Sequence, residues 1–419
     1  MKSFLPLIRD EWRLLLFGFA MSFGSSFGQT YFIGLFSGEI RADLGLSHGD
    51  FGAIYSAATL ASAVVLLWSG SLVDRIDLRR FAVWVVLGLA AGCLLMASSR
   101  GVAALFLSML VLRHLGQGLM SMAGTTAMVR YLDHQRGKAN ALGGIGYSVS
   151  EATLPTLVIA SLAVLSWRQS WIFWALILVV TMPLLIRWLL RDHDLRHHQY
   201  LRSIGGDTAA LSHSSQRQWT RAEVLRDPFF YCFIPLLLAM PLLFTGFMFH
   251  QIHLVAAKGW SLGAWGGLYI LYAGVSMAFK LWTGVLIDRV GALNLTPLIC
   301  IPFAVGLLAL AGASQFEVAV VFMVLMGVSV GMYSTVSSPF YAEMYGTQHL
   351  GSIKSVTTAT MVFASAVSPV AMGWLIDAGV SMDTMALGGA AYIMAATGLA
   401  LVSLFKLKKL KKLKKQDLR

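Results

Sequence analysis

Twelve apolar runs, each near the roughly 20 residues a helix needs to cross a bilayer, constrain this chain more than any other feature. They lie at 14–37, 51–73, 81–98, 102–126, 139–164, 169–190, 228–251, 263–286, 293–313, 318–340, 352–376 and 384–405. Most are too long for strands and lack two-residue alternation, which argues against a membrane β-barrel and for an all-α polytopic membrane protein. Only 12% of the 419 residues are charged, against about 25% in soluble chains. That is too few to coat a water-soluble core, which excludes an ordinary cytosolic enzyme and a disordered chain. The first run follows Lys2, Arg9 and Arg13 as a signal core would, but it is longer and eleven runs follow, so it is expected to be a retained helix. Cys93, Cys232 and Cys300 each stand alone in an apolar run. They read as small buried hydrophobes, not a metal site, redox pair or disulfide framework.

The basic residues predict the orientation. With the N-terminus in the cytoplasm, 26 of the 32 Lys and Arg fall on the cytoplasmic side. The outer loops hold four (Arg41, Arg100, Arg168, Lys258), and Arg113 and Lys280 lie inside spans. This asymmetry places both termini in the cytoplasm of a bacterial inner membrane. The net charge of +12 then follows mostly from topology and implies no nucleic-acid partner.

A polar stretch at 191–227 divides the spans six and six. At a fixed offset of 214 residues, twelve of the 31 positions from 45 to 75 are identical to their counterparts, including Gly45/Gly259, Ser47/Ser261, Tyr55/Tyr269, Trp68/Trp282, Gly70/Gly284, Asp74/Asp288 and Arg75/Arg289. The same offset maps Tyr131 to Tyr345 and Pro155 to Pro369. The expected domains are a six-helix bundle at 1–190, a cytoplasmic linker at 191–227, a second bundle at 228–405 and a basic tail at 406–419. Internal duplication in a polytopic protein is a transporter trait.

The segment Gly70-Ser-Leu-Val-Asp74-Arg75-Ile-Asp77-Leu-Arg79-Arg80 resembles the loop 2–3 signature of the major facilitator superfamily, Gly-x-x-x-Asp-Arg-x-Gly-Arg-Arg/Lys, with Asp77 where the signature has Gly. The second half repeats it as Gly284-Val-Leu-Ile-Asp288-Arg289-Val-Gly291. Arg113-His-Leu-Gly-Gln117-Gly118 is similar to the family's span-4 signature. The resemblance covers essentially the whole chain. It implies two pseudo-symmetric six-helix bundles working by alternating access, with Asp74, Arg75, Asp288 and Arg289 at the cytoplasmic gates. Independently, Gly70 permits close helix approach, and Asp74 ends span 2 where it can face the positive end of a neighbouring helix. The three arginines of loop 2–3 also serve topology.

Three ionisable residues lie well within spans: Arg113, Glu151 and Lys280. Insertion scales put each at roughly 2.5–3.5 kcal/mol at the bilayer centre unless paired or hydrated. None is duplicated: the offset pairs them with Gly327, Ser365 and Leu66. Lys280 stands one turn before Gly284, and its position resembles the span-8 Arg of monocarboxylate and oxalate transporters, which implies an anion hook. A snorkelling lysine is the alternative, but eight residues of helix separate Lys280 from Asp288, about 12 Å. Arg113 and Glu151 come from antiparallel neighbours at similar depth, which suggests a buried pair. If the pair opens, desolvated Glu151 is a candidate proton carrier; a static structural pair is the alternative. Gly143-Gly-Ile-Gly146-Tyr147-Ser-Val-Ser-Glu151 lacks the Gly-Pro of drug antiporters, and its glycines read as helix packing.

Other polar groups could line a cavity: Ser25, Gln29 and Tyr31 in span 1, His250 and Gln251 near the outer end of span 7, Tyr269 and Tyr272 in span 8, and Tyr333 and Ser337 in span 10. Packing or interfacial anchoring is the commoner role of such aromatics. Tyr272, two turns before Lys280, is the best aromatic candidate, and His250 is expected to sit in water. The tail from Lys406, with Leu407, Leu410 and Leu413 among lysines, reads as a basic helix continuing span 12 along anionic lipid. There is no Walker loop, no metalloprotease motif and no Cys-x-x-Cys, so neither cofactor nor catalytic residue is expected. The sequence reads as a monomeric secondary transporter for a small organic anion, a carboxylate, moved with a proton. The alternative is an exporter of drugs or amphipathic metabolites by proton antiport.

Overall fold

The structure is a computed structural model that describes residues 5–70, 72–132, 136–191, 193, 218–346 and 350–416. The chain divides into two compact units, Met1–His213 and Ser214–Arg419. Helices dominate both, and the described residues contain no strand. Among the described residues, eleven helices are long and apolar enough to cross a membrane. They match eleven of the twelve runs, most ends agreeing within three residues.

The run at 14–37 is the exception. It is not one helix: Leu5–Gly24 is followed by a 3-10 turn at Ser25–Gly28, an extended Gln29 (ψ 153°) and a short helix at Thr30–Gly34. The cause lies in packing and composition. Gly24, Ser25, Ser26 and Gly28 give the backbone little helical bias. A Cβ on Gly28 would collide with the Leu112 carbonyl, and one on Gly116 would lie 2.7 Å from the Gly28 nitrogen. The break thus seats against the fourth span, itself wound as a π-helix over Arg113–Met120. A π-turn inside a long helix often marks a functional site.

The duplicated plan is visible in the local chemistry of each unit. Gly45 and Gly259 both adopt positive φ (65° and 68°) and end a helix. Ser47 and Ser261 then cap the next helices, Ser47 in a reciprocal box with Asp50. Trp68 and Trp282, also an offset pair, are both largely exposed, as side chains facing lipid would be. Gly70 lies against Met122 of the fourth span.

Where the copies differ, another group takes over. Asp77 caps the Leu78–Ser98 helix by accepting from the Arg80 N–H at 3.1 Å. Its counterpart Gly291 has φ 82° and no side chain. There Glu343 accepts from the Leu293 N–H at 3.1 Å. The residue that departs from the family signature therefore does a capping job that the second half assigns to a different helix.

A basic side chain closes the third helix of each unit. Arg168 Nη2 donates to the Ser99 carbonyl at 2.7 Å, and Nη1 pairs with Asp43 at 2.8 Å. In the second unit Lys258 Nζ donates to the carbonyls of Leu310 (2.6 Å) and Ala313 (2.8 Å) and pairs with Asp383 at 2.7 Å. Ser99 and Ala313 are related by the offset of 214. The charges are reversed: acid before span 2 and base at span 6 in the first unit, base before span 8 and acid at span 12 in the second.

The last helix runs unbroken from Met382 to Gln416, so the Lys/Leu tail continues span 12 as a helix.

Candidate functional site

The break in span 1 organises a buried polar cluster in the first unit. Arg113 is 3% exposed. Its Nε donates to Thr59 Oγ1 at 3.1 Å and its Nη1 to the Gly28 carbonyl at 3.1 Å, with Thr30 Oγ1 at 3.5 Å. The guanidinium carbon stands 5.1 Å from the Tyr55 ring centroid, and Thr30 and Tyr55 share a 2.6 Å hydroxyl bond. A helix interior offers no free carbonyl; the interruption at Gln29 is what leaves that of Gly28 for Arg113. The described hydrogen bonds of this cation therefore all go to neutral oxygens, and the expected direct pair with Glu151 is not among them.

Glu151, also 3% exposed, is held on the other side of the cluster. Tyr147, one turn earlier on the same helix, is within electrostatic reach of both Glu151 and Arg113. Tyr31 is within electrostatic reach of Glu151. Its hydroxyl donates to Ser150 Oγ at 3.5 Å, and Ser150 in turn bonds Ser26. Tyr147 is the member that sequence reasoning missed. The i, i+4 spacing to Glu151 was the available signal, but a lone aromatic in an apolar helix reads as packing. Gln29 sits half-buried at the break itself.

The glycines around the cluster are packing glycines. A Cβ on Gly146 would run into the Phe19 carbonyl, and one on Gly143 would lie 3.5 Å from the Gly18 backbone. Span 5 thus grips span 1 just below the break.

In the second unit Lys280 is half-buried on the Leu262–Val290 helix. That helix packs tightly on Phe316–Tyr345: a Cβ on Gly331 would lie 3.1 Å from the Lys280 nitrogen. Tyr272, Ser276 and Lys280 share one face at four-residue spacing, and Tyr272 is 1% exposed. Tyr269 is buried and donates to Gln251 Oε1 at 2.7 Å, which also accepts from Trp265 Nε1 at 3.0 Å. Tyr333 donates to the Leu237 carbonyl at 3.0 Å. His250, expected in water, is instead 2% exposed and donates to the Pro369 carbonyl at 2.8 Å. Burial inside the unit makes that carbonyl its partner in place of solvent. Arg289 is exposed. The side chains of Asp74, Arg75 and Asp288 lie outside the described residues.

Apolar spans in two duplicated units, with a charged cluster on a broken helix, define a multi-pass membrane transporter. The chain belongs to the major facilitator superfamily, whose family model matches residues 18–369. It is a secondary transporter, not an enzyme. Among solved structures it is similar to the nucleoside transporter NupG, with a TM-score of 0.66 at 14% identity over 93% of this chain and 98% of that one. It is also similar to a bacterial homolog of the human lysosomal transporter Spinster in an inward-facing, unoccupied conformation, with a TM-score of 0.62 at 12% identity over 96% and 98%. At these identities the likeness is one of fold. No curated protein sequence matches significantly.

Proposed function

We propose that the chain moves a small organic anion, a carboxylate, together with a proton, by alternating access, working as a monomer in a bacterial inner membrane with both termini cytoplasmic. The observation that carries this reading is Arg113. Among the described hydrogen bonds, a permanently charged guanidinium is held inside the membrane region by neutral oxygens, with a carboxyl group one tyrosine away. A cation held this way leaves a positive potential for an anionic solute, and Glu151 supplies a proton-binding group beside it. In the second unit Lys280, with Tyr272 on the same face, is a second positive point of attachment; Gln29 and Tyr31 of the first unit and Tyr269 and Tyr333 of the second are further substrate contacts. Asp74, Arg75, Asp288 and Arg289 serve the gates, and the basic tail rests on anionic lipid.

Uptake of labelled lactate and oxalate into proteoliposomes, with and without an inward proton gradient, tests the reading. Gradient-stimulated uptake is expected. Lys280→Ala should lower anion uptake, and unchanged uptake would remove the hook. Glu151→Gln should abolish gradient dependence while leaving exchange; unaltered coupling would remove the proton role. If the acids are ignored while an amphipathic cation is exported against a proton gradient, antiport of drugs takes the place of this reading.

A further inference from the structure

We propose that Tyr333 is a latch on span 7: its hydroxyl holds the carbonyl that Pro241 leaves without a helical donor, and an anionic solute that draws this hydroxyl to itself sets the span free to move. The release rests on the organic-anion reading above; the latch itself rests on geometry. Span 7 is interrupted by its own composition. The helix Pro228–Ala239 passes into a π-turn at Met240–Phe244 that carries Pro241. A proline has no N–H for the carbonyl four residues before it, here that of Leu237. The Tyr333 hydroxyl, from span 10, donates to that carbonyl at 3.0 Å. Three more carbonyls around the turn accept from other helices: Pro235 from Tyr392 at 2.8 Å, Leu236 from the Cys300 thiol at 3.8 Å, and Leu242 from Ser368. Of the four, Leu237 is the one whose place in the ladder a proline vacates.

The arrangement answers the one in the first unit, where the Gly28 carbonyl at the break of span 1 accepts from Arg113 of span 4 at 3.1 Å. The two donors differ in number. A guanidinium has five N–H donors, so it can hold a carbonyl and meet an anion at once, whereas a phenol has one O–H. Tyr333 must therefore choose. Leu237 is 2% exposed and Tyr333 is half-buried, so a solute can reach the phenol but not the carbonyl behind it. A carboxylate is the better acceptor, since a hydrogen bond to an ionised group is roughly twice as strong as one between neutral groups. An anion at Tyr333 takes the O–H from Leu237, and the π-turn loses the tie that Pro241 made necessary. No proton is transferred; one hydrogen bond changes its acceptor. The empty second unit keeps span 7 held, and the loaded one lets it move.

The test follows amide hydrogen exchange over residues 236–246 in the purified full chain, with and without oxalate or lactate, while thermal shift reports separately whether the acid binds. In wild type, exchange over this segment should quicken when an acid binds. Tyr333→Phe should exchange on the order of fivefold to tenfold faster than wild type with no acid present, the worth of one hydrogen bond, and a bound acid should add nothing. Pro241→Ala gives Leu237 an N–H of its own, so exchange should be slow with or without acid, and uptake into proteoliposomes should fall although the acid still binds. In the Pro241→Ala background Tyr333→Phe should no longer quicken exchange, an epistasis that a tyrosine serving only as packing would not produce. A wild-type segment indifferent to a bound acid overturns the release. Equal quickening by Tyr333→Phe with and without Pro241 overturns the latch, and either result leaves the organic-anion reading standing. If neither acid binds, that reading and the release fall together, and the acid-free comparison of the four chains still decides the latch.

Discussion

At the scale of single residues, Arg113 shows what makes a guanidinium tolerable within a membrane span. Its Nε and Nη1 donate to Thr59, Thr30 and a backbone carbonyl that the broken helix leaves free. Lysine would keep the charge but lose the planar fork, whose separate Nε and Nη1 reach Thr59 and Gly28. Arg113→Lys is expected to cut anion uptake about tenfold or more. Arg113→Ala should instead lower the unfolding temperature in detergent, because the orphaned Gly28 carbonyl costs about 1–3 kcal/mol. Equal uptake in wild type and Arg113→Lys would show that charge alone suffices. Arg113, Glu151 and Lys280 were legible in the sequence because intramembrane charge is rare. Their partners were not. Thr59 and Gly28 lie 54 and 85 residues from Arg113, and nothing local in the chain announces such a meeting. His250 was misread for the same reason: its carbonyl partner is 119 residues away.

At the scale of the helix, hydrophobic length was a sufficient guide for eleven spans and misled on the first. Run length reports transfer free energy, which an interrupted segment and a continuous one share. What differs is the steric demand of a neighbour, as at Gly28 and Gly116. The same demand separates two glycines of span 5 that stand two residues apart. Gly146 abuts the Phe19 carbonyl, whereas Gly144 has open space around it. Gly146→Ala is therefore expected to destabilise by about 1–3 kcal/mol through overpacking. Gly144→Ala should be neutral or stabilising by up to about 1 kcal/mol, through helix propensity. Thermal unfolding of the two variants side by side checks the contrast, and equal melting temperatures would contradict it. Asp77 makes a related point. As a departure from a signature it read as an oddity, and only the capped helix start gives it a reason.

At the scale of the whole molecule, the duplication was the most readable property, since identity at one offset requires no knowledge of contacts. The paired clamps escaped that search. Their acids and bases sit one residue out of register between the copies and carry opposite signs. Their energetics are also unequal within a pair. Asp383 is 47% exposed while the Lys258 side chain is 3% exposed, so the ion pair itself should be worth at most about 1 kcal/mol. The two carbonyls that Lys258 closes matter more. Lys258→Met should destabilise by about 1–3 kcal/mol, and Asp383→Asn by less; a double-variant cycle on thermal unfolding measures the difference. The sign reversal has a further consequence for a chain that carries two copies of one plan. A bundle assembled with the other copy's final helix would set Asp43 against Asp383 and Arg168 against Lys258, two repulsions where the proper bundle has two attractions. Each half is thereby marked as its own partner while the helices are still finding one another.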